Sequence, residues 1–194
     1  YILDQEHAIN AFAAGLTTGD AIIGVTKGTV ESLSRDELQG VIAHEYSHIL
    51  NGDMSLNIQL IGLLHGILVI GIIGYYIIRS TGRSRSKDSS GFFIFGCALI
   101  AIGFGGTFFG NLIKSSISRQ REYLADASAV QFTRNPEGIG GALKKIGGSA
   151  DLSRLKNEKA PEMSHMYFSQ GVSSFLGSLT ATHPPLEDRI RRIE

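Results

Sequence analysis

The pattern of apolar and polar positions divides the chain into a short mixed front, two long apolar runs and a mixed tail. Met54 to Ile78 carries no charged residue, and neither does Ser89 to Ile113. Each run exceeds the ~18–20 apolar residues that suffice for a membrane-spanning helix. Gln59 and His65 interrupt the first run and call for a protein partner or polar cavity there. A buried apolar hairpin in a soluble core is the competing reading, and two adjacent runs of this length argue against it. The spacings Gly62–Gly66 and Gly106–Gly110 offer places where two helices can approach closely. Ahead of the runs, INAFAA and AIIGVT read as two short strands joined by a turn around Gly15–Asp20. A helix is predicted from Arg35 to Leu50. Ser34 followed by Glu37 forms a capping box at its start, and Asn51–Gly52 is its stop. Behind the runs, Lys114–Thr133 is predicted as a helix of its own. Asn135–Pro136 opens another that ends at Gly147–Gly148. Asp151–Gly177 reads as loop-rich, and Pro184–Pro185 introduces a last helix, LEDRIRRI. The expected fold class is mainly α with a small β-sheet (α+β).

Charge and cysteine content exclude some classes. Lys+Arg and Asp+Glu both total 18, so no basic excess points to a nucleic-acid partner. Cys97 is the single cysteine, which excludes an intramolecular disulfide and argues against a secreted, disulfide-stapled fold. No signal-peptide pattern opens the sequence. The stretch between the apolar runs, residues 79–90, is polar and holds the basic residues Arg79, Arg83, Arg85 and Lys87.

Chemistry enters with His44-Glu45-Tyr46-Ser47-His48, an H-E-x-x-H pattern. On a helix, positions i and i+4 share a face, so both imidazoles reach one ion. Glu45 projects to the edge of that site, where it polarises water as a general base. Two histidines and one carboxylate leave a zinc position open, and zinc lowers the pKa of water toward ~7. A surface helix with two satisfied histidines gives the same five letters, but the capping box supports the helical context independently.

The third ligand must come from elsewhere. In RQREYLAD, Glu122 and Asp126 are again four apart. We assign Glu122 to the metal. Asp126 is assigned to the free N–H of a ligating histidine, whose tautomer it fixes. An ordinary helix with a solvated Glu and Asp satisfies the same spacing.

HEYSHILNGDM, REYLAD, INAFAAG and THPPLEDRI, in this order and with an apolar hairpin between the first two, resemble the HtpX-type membrane metallopeptidases. The resemblance covers nearly the whole chain. It implies Zn2+ held by His44, His48 and Glu122, support from Asp126, and a zincin-like peptidase domain interrupted by a hydrophobic helical hairpin. On that division, residues 1–53 hold the small sheet and zinc helix and 54–113 the two spans. Residues 114–194 complete the peptidase domain. The family usually carries a further apolar hairpin upstream. The resemblance also implies quality control of misfolded or damaged membrane proteins in the bacterial inner membrane, with polypeptide substrates, a lipid bilayer partner and a cytoplasmic active site. No third histidine follows at metzincin spacing.

Two spans return the chain to its starting side, which lets Glu122 meet His44 and His48. They also put the basic stretch outside, against the positive-inside tendency. Asn10, Ala11, Phe12 and Ala13 are the candidate substrate-pairing strand, because small residues let a second backbone approach; an ordinary core strand is the alternative. His183, His165, Tyr167 and Arg189 are candidate oxyanion donors. His183 has two further readings, as an occupant of the open zinc position that holds the enzyme inactive or as a cap on the last helix. His7 and His65 are expected to be structural, and Lys144 and Lys145 a solvated helix end. Rival functions are a CAAX-type prenyl endopeptidase, for which the chain is short, and a non-catalytic zinc-stabilised membrane scaffold, which has no use for Glu45.

Overall fold

A computed structural model describes residues 1–81, 89–148 and 183–194. The loop-rich expectation for Asp151–Gly177 lies outside the described residues. The chain forms two compact units, one of Tyr1–Leu56 with Ser115–Glu194, the other of Asn57–Lys114.

In the first unit a three-stranded sheet has the order β1-β3-β2, with β1 at Ile2–Leu3, β2 at Ala11–Ala14 and β3 at Ile22–Thr26. β2 runs antiparallel to β3 with Ala13 opposite Ile23, and β1 runs parallel to β3. The expected turn between β2 and β3 has a clear cause. Gly15 adopts φ 147°, and the Asp20 carboxylate accepts hydrogen bonds from the Leu16 and Thr17 amides and the Thr17 hydroxyl. Strand β1 and the short helix α1 (Lys27–Ser32) were not foreseen. Thr26 caps α1 by accepting from the Thr29 amide.

Helix α2 (Arg35–Leu50) forms as expected. The Ser34 hydroxyl accepts from the Glu37 amide at 3.3 Å, and the Glu37 carboxylate accepts from the Ser34 amide at 2.6 Å. Gly52 at φ 67° ends it and turns the chain into α3 (Asp53–Thr81). Helix α5 (Pro136–Gly148) packs across α2 where both lack side chains. A Cβ on Gly40 would lie 2.6 Å from the Ile139 amide nitrogen. Around this crossing Ile9, Val25, Val41, Ile139, Leu143 and Ile146 form the core. The last helix, α6 (Leu186–Ile193), starts after Pro184–Pro185 as expected. Lys144 and Lys145 are exposed, as expected of a solvated helix end. Lys145 also pairs with Glu37 at 2.6 Å and donates to the Ser32 carbonyl, fastening α5 to the start of α2; Lys144 pairs with Glu194.

Lys114–Thr133 is not a separate helix. A single helix α4 runs from Ser89 to Thr133. The change from apolar to polar residues at Lys114 alters what surrounds the helix, not its propensity, and no proline or capping signal interrupts it there. In the second unit, α3 and the first part of α4 pack through several glycines, the expected Gly106–Gly110 pair among them. A Cβ on Gly110 would sit 2.2 Å from Leu64 Cδ2 and one on Gly106 2.9 Å from Ile67 Cγ2. A Cβ on Gly103 would sit 2.2 Å from the Gly71 nitrogen, and one on Gly74 2.7 Å from the Gly96 oxygen, whereas the other expected pair, Gly62 and Gly66, faces open space. Helical periodicity puts Gly71 with Gly74, and Gly96 with Gly103, on shared faces. Both helices are long and apolar enough to cross a membrane. Their large side chains point outward, Leu63 at 62% exposure and Ile94 at 67%, which a helix of a soluble core would not tolerate.

Candidate metal centre

Helix α2 presents His44 and His48 on one face, with their Nε2 atoms 3.1 Å apart and the rings edge to face. The outer nitrogen of each ring meets a carboxylate. His44 Nδ1 lies 2.9 Å from Asp126 Oδ1, and His48 Nδ1 is hydrogen-bonded to Asp53 Oδ2 at 2.7 Å. An acid beside the Nδ1 of each ring favours the tautomer with Nδ1–H, which leaves both Nε2 lone pairs facing the same point. Glu122 on α4 faces it too, Oε1 at 3.4 Å from His48 Nε2 and Oε2 at 3.7 Å from His44 Nε2. The ligand atoms of His44, His48 and Glu122 all lie within 4.8 Å of one another. Converging acceptors repel unless a cation sits among them, and two imidazoles with one carboxylate suit a metal of the zinc class.

Charge balance points the same way. Glu45, Glu122, Asp126 and Asp53 are buried with Arg189 and the partly exposed Arg121, four acids against two guanidiniums. With both imidazoles neutral and Glu45 ionised, the ligating state, the cluster would carry two excess negative charges, which a divalent cation offsets. Arg189 is fully buried and grips Asp126 with two hydrogen bonds, Nε to Oδ2 at 2.8 Å and Nη2 to Oδ1 at 2.7 Å. Burial alone would raise the Asp126 pKa, but Arg189 and His44 bring it down to about 2. Burial also opposes ionisation of Glu122, yet His183 and Arg189 beside it hold its carboxyl well below the usual range. Desolvation lowers the pKa of His44, favouring the neutral form that ligates. For His48 desolvation is outweighed by Asp53 and Glu122, which raise it to about 10. Burial pushes Glu45 up to about 7, against the opposing pull of His48.

Thus the structure brings His44, Glu45, His48, Glu122 and Asp126 together. His183 joins them, Nδ1 at 2.9 Å from Glu122 Oε2. It does not cap α6, whose N-cap is Pro185 with no side-chain bond. Arg189, one of the candidate oxyanion donors, is bound to Asp126 and has its Nη1 3.3 Å from Glu122. His165 and Tyr167 lie outside the described residues. β2 is an edge strand, but Asn10, Ala11 and Ala13 are buried and only Phe12 and Ala14 are partly exposed. Asn10 is turned inward. Its amide donates to the Thr26 and Thr29 hydroxyls and its Oδ1 accepts from the Ala11 amide. Sequence reading missed Asp53 and Arg121. Their signal was the acid directly after Asn51–Gly52, one turn beyond the second histidine.

A helix-borne His–His–Glu cluster with an adjacent buried glutamate places the chain among metal-centred hydrolase scaffolds. The chain belongs to Peptidase family M48, whose model matches residues 1–194. It is similar to proteins named protease HtpX homolog. That of Dictyoglomus thermophilum is 39% identical over 197 residues, covering 100% of this chain and 61% of that protein. That of Streptococcus uberis is 36% identical over 201 residues, covering 100% of this chain and 65% of the relative. The chain thus spans under two thirds of the length of these relatives. Among solved structures it resembles the crystal structure of S. mikatae Ste24p, with TM-score 0.54 and 25% identity over 97% of this chain and 42% of that one.

Proposed function

We infer that the chain is the catalytic part of a zinc-dependent membrane endopeptidase that hydrolyses peptide bonds in misfolded or damaged membrane proteins. The observation that carries this reading is the convergence of His44 Nε2, His48 Nε2 and the Glu122 carboxylate, with Glu45 buried beside them. His44, His48 and Glu122 would hold the ion, and a bound zinc would supply Lewis acidity that polarises water and the scissile carbonyl. Glu45, a carboxyl held near neutral pKa, takes the proton of the attacking water and returns it to the leaving amine. Asp126 holds His44 in its ligating tautomer. His183, next to Glu122, is placed to donate to developing negative charge or to take the open metal position. The edge position of β2 in the sheet supports it as the strand that aligns substrate by backbone pairing. Residues 1–53 and 114–194 form one peptidase domain around the inserted spans 54–113. The compact unit that unites Tyr1–Leu56 with Ser115–Glu194 supports this division. The protein resides in the bacterial inner membrane with its active site on the cytoplasmic side.

Hydrolysis of casein by detergent-purified protein loaded with zinc tests this. Wild type should cleave. Glu45→Gln should retain zinc and lose at least 100-fold in rate, about the weight of a general base. Glu122→Ala should lose both zinc and cleavage. A zinc-loaded wild type that cleaves no polypeptide would instead support the scaffold reading.

A further inference from the structure

Each histidine of the cluster has its own acid, and each acid has its own arginine. Asp126 serves His44 and is gripped by Arg189. Asp53 stands in the same relation to His48. Its Oδ2 accepts the Nδ1–H at 2.7 Å, and its Oδ1 lies 2.6 Å from Arg121 Nε. Arg121 neighbours the ligand Glu122 on α4, and its Nη2 donates to the Asn51 carbonyl at 2.9 Å. The turn at Gly52 makes this possible, because its positive φ ends α2 there and the first residue of α3 then meets His48. An acid also suits that position, the start of a 29-residue helix. Asp53 has little exposure, its side chain at 9%, so its charge needs Arg121.

We propose that Asp53 and Arg121 form a second positioning pair that fixes the tautomer and aim of His48 and thereby sets metal affinity. This rests on the reading of His44, His48 and Glu122 as metal ligands. Arg121 acts through Asp53, not on the ion.

The test measures zinc dissociation constants by chelator competition on the detergent-purified full chain. It compares wild type, Asp53→Ala, Asp53→Asn, Arg121→Ala and the Asp53→Ala/Arg121→Ala double variant. Removing an outer partner of a ligating histidine typically weakens metal binding about 10–100-fold. Asp53→Ala should show that loss. Asp53→Asn, which keeps an acceptor for Nδ1–H, should recover part of it and carries the measurement if Asp53→Ala does not fold. Arg121→Ala should weaken zinc less than Asp53→Ala, and should add nothing on top of it. The d–d absorption of the cobalt-substituted protein should shift in Asp53→Ala, a signature that a merely structural corner contact would leave alone. Zinc binding within about threefold of wild type in Asp53→Ala, or an Arg121→Ala penalty that persists without Asp53, would overturn the proposal while leaving the metal site intact. A wild type that binds no zinc would overturn both.

Discussion

Arg189 illustrates how much of this site rests on single side chains far away in sequence. It lies 63 positions from Asp126, is fully buried, and is held there by two hydrogen bonds to that acid. Breaking a buried pair by deleting one partner leaves an uncompensated charge, a loss of about 3–5 kcal/mol. Arg189→Met should therefore lower thermal stability strongly in the metal-free protein, whereas replacing both Arg189 and Asp126 with apolar residues should cost less than the single change. Equal melting temperatures for Arg189→Met and wild type would show that the pair contributes no net stability. At this scale the sequence was most legible where chemistry is local. His44, Glu45 and His48 fall on adjacent turns of one helix, so spacing alone puts the histidines on a shared face. Asp126 could be read as a support because it shares a face with Glu122. Asp53 could not, since only the positive φ at Gly52 returns it to His48. Arg189 was singled out only as one of four candidate donors, and its pairing with Asp126 was not legible, because nothing in its neighbourhood in sequence reports that its partner is on α4.

Among the elements, α2 was the most legible, because both ends carry side-chain signals within four residues of the boundary. Its Ser34–Glu37 box does more than start a helix. Lys145 of α5 pairs with the same Glu37 carboxylate, so one acid joins a helix start to a helix–helix contact. Burial works against charge on Glu37, but Lys145 and Ser34 prevail and lower its pKa from the ordinary value. A depressed carboxylate contributes stability that is fully present above its unfolded pKa, near 4.5, and is lost as pH falls through the folded value. Glu37→Gln keeps the capping-box acceptor but loses the charge, so it should melt slightly below wild type at pH 7, by roughly 0.2–1 kcal/mol for a part-exposed ion pair, and the two should converge as pH falls through the folded value. A difference that stayed constant from pH 7 to pH 3 would assign the effect to packing rather than charge. Where boundary signals were missing, the element reading failed. Nothing in the sequence between Ile113 and Lys114 stops a helix, and the division made there followed solvation, which a helix backbone does not sense. The two-residue β1 carries too little pattern to be seen, because its pairing to β3 is set by tertiary contact.

For the whole molecule, the two helices of the second unit decide how the protein meets its surroundings. Their glycines bring the backbones together and leave Phe92, Ile94, Leu63 and Phe109 facing outward, a surface that water would disfavour by roughly 25 cal/mol for each Å² of apolar area. A bilayer removes that penalty, and the chain carries its own probe of whether one is there. Cys97, the single cysteine, lies exposed on α4 within the apolar run. If α3 and α4 span the membrane, a membrane-impermeant maleimide should leave Cys97 unmodified in intact membranes and modify it once detergent unfolds the protein. Under the proposed orientation, a Cys97→Ser/Ser86→Cys variant should react from the periplasmic side alone, because the sequence between two crossings is carried to the far face of the membrane. Rapid aqueous modification of Cys97 in intact membranes would put the run in water and remove the bilayer from the proposal. Labelling of Ser86→Cys only from the cytoplasmic side would mean that the hairpin enters without crossing. In that case the four basic residues of the stretch would obey the positive-inside tendency after all, and the site on α2 and α4 would still be closed by a chain that returns to the side it left.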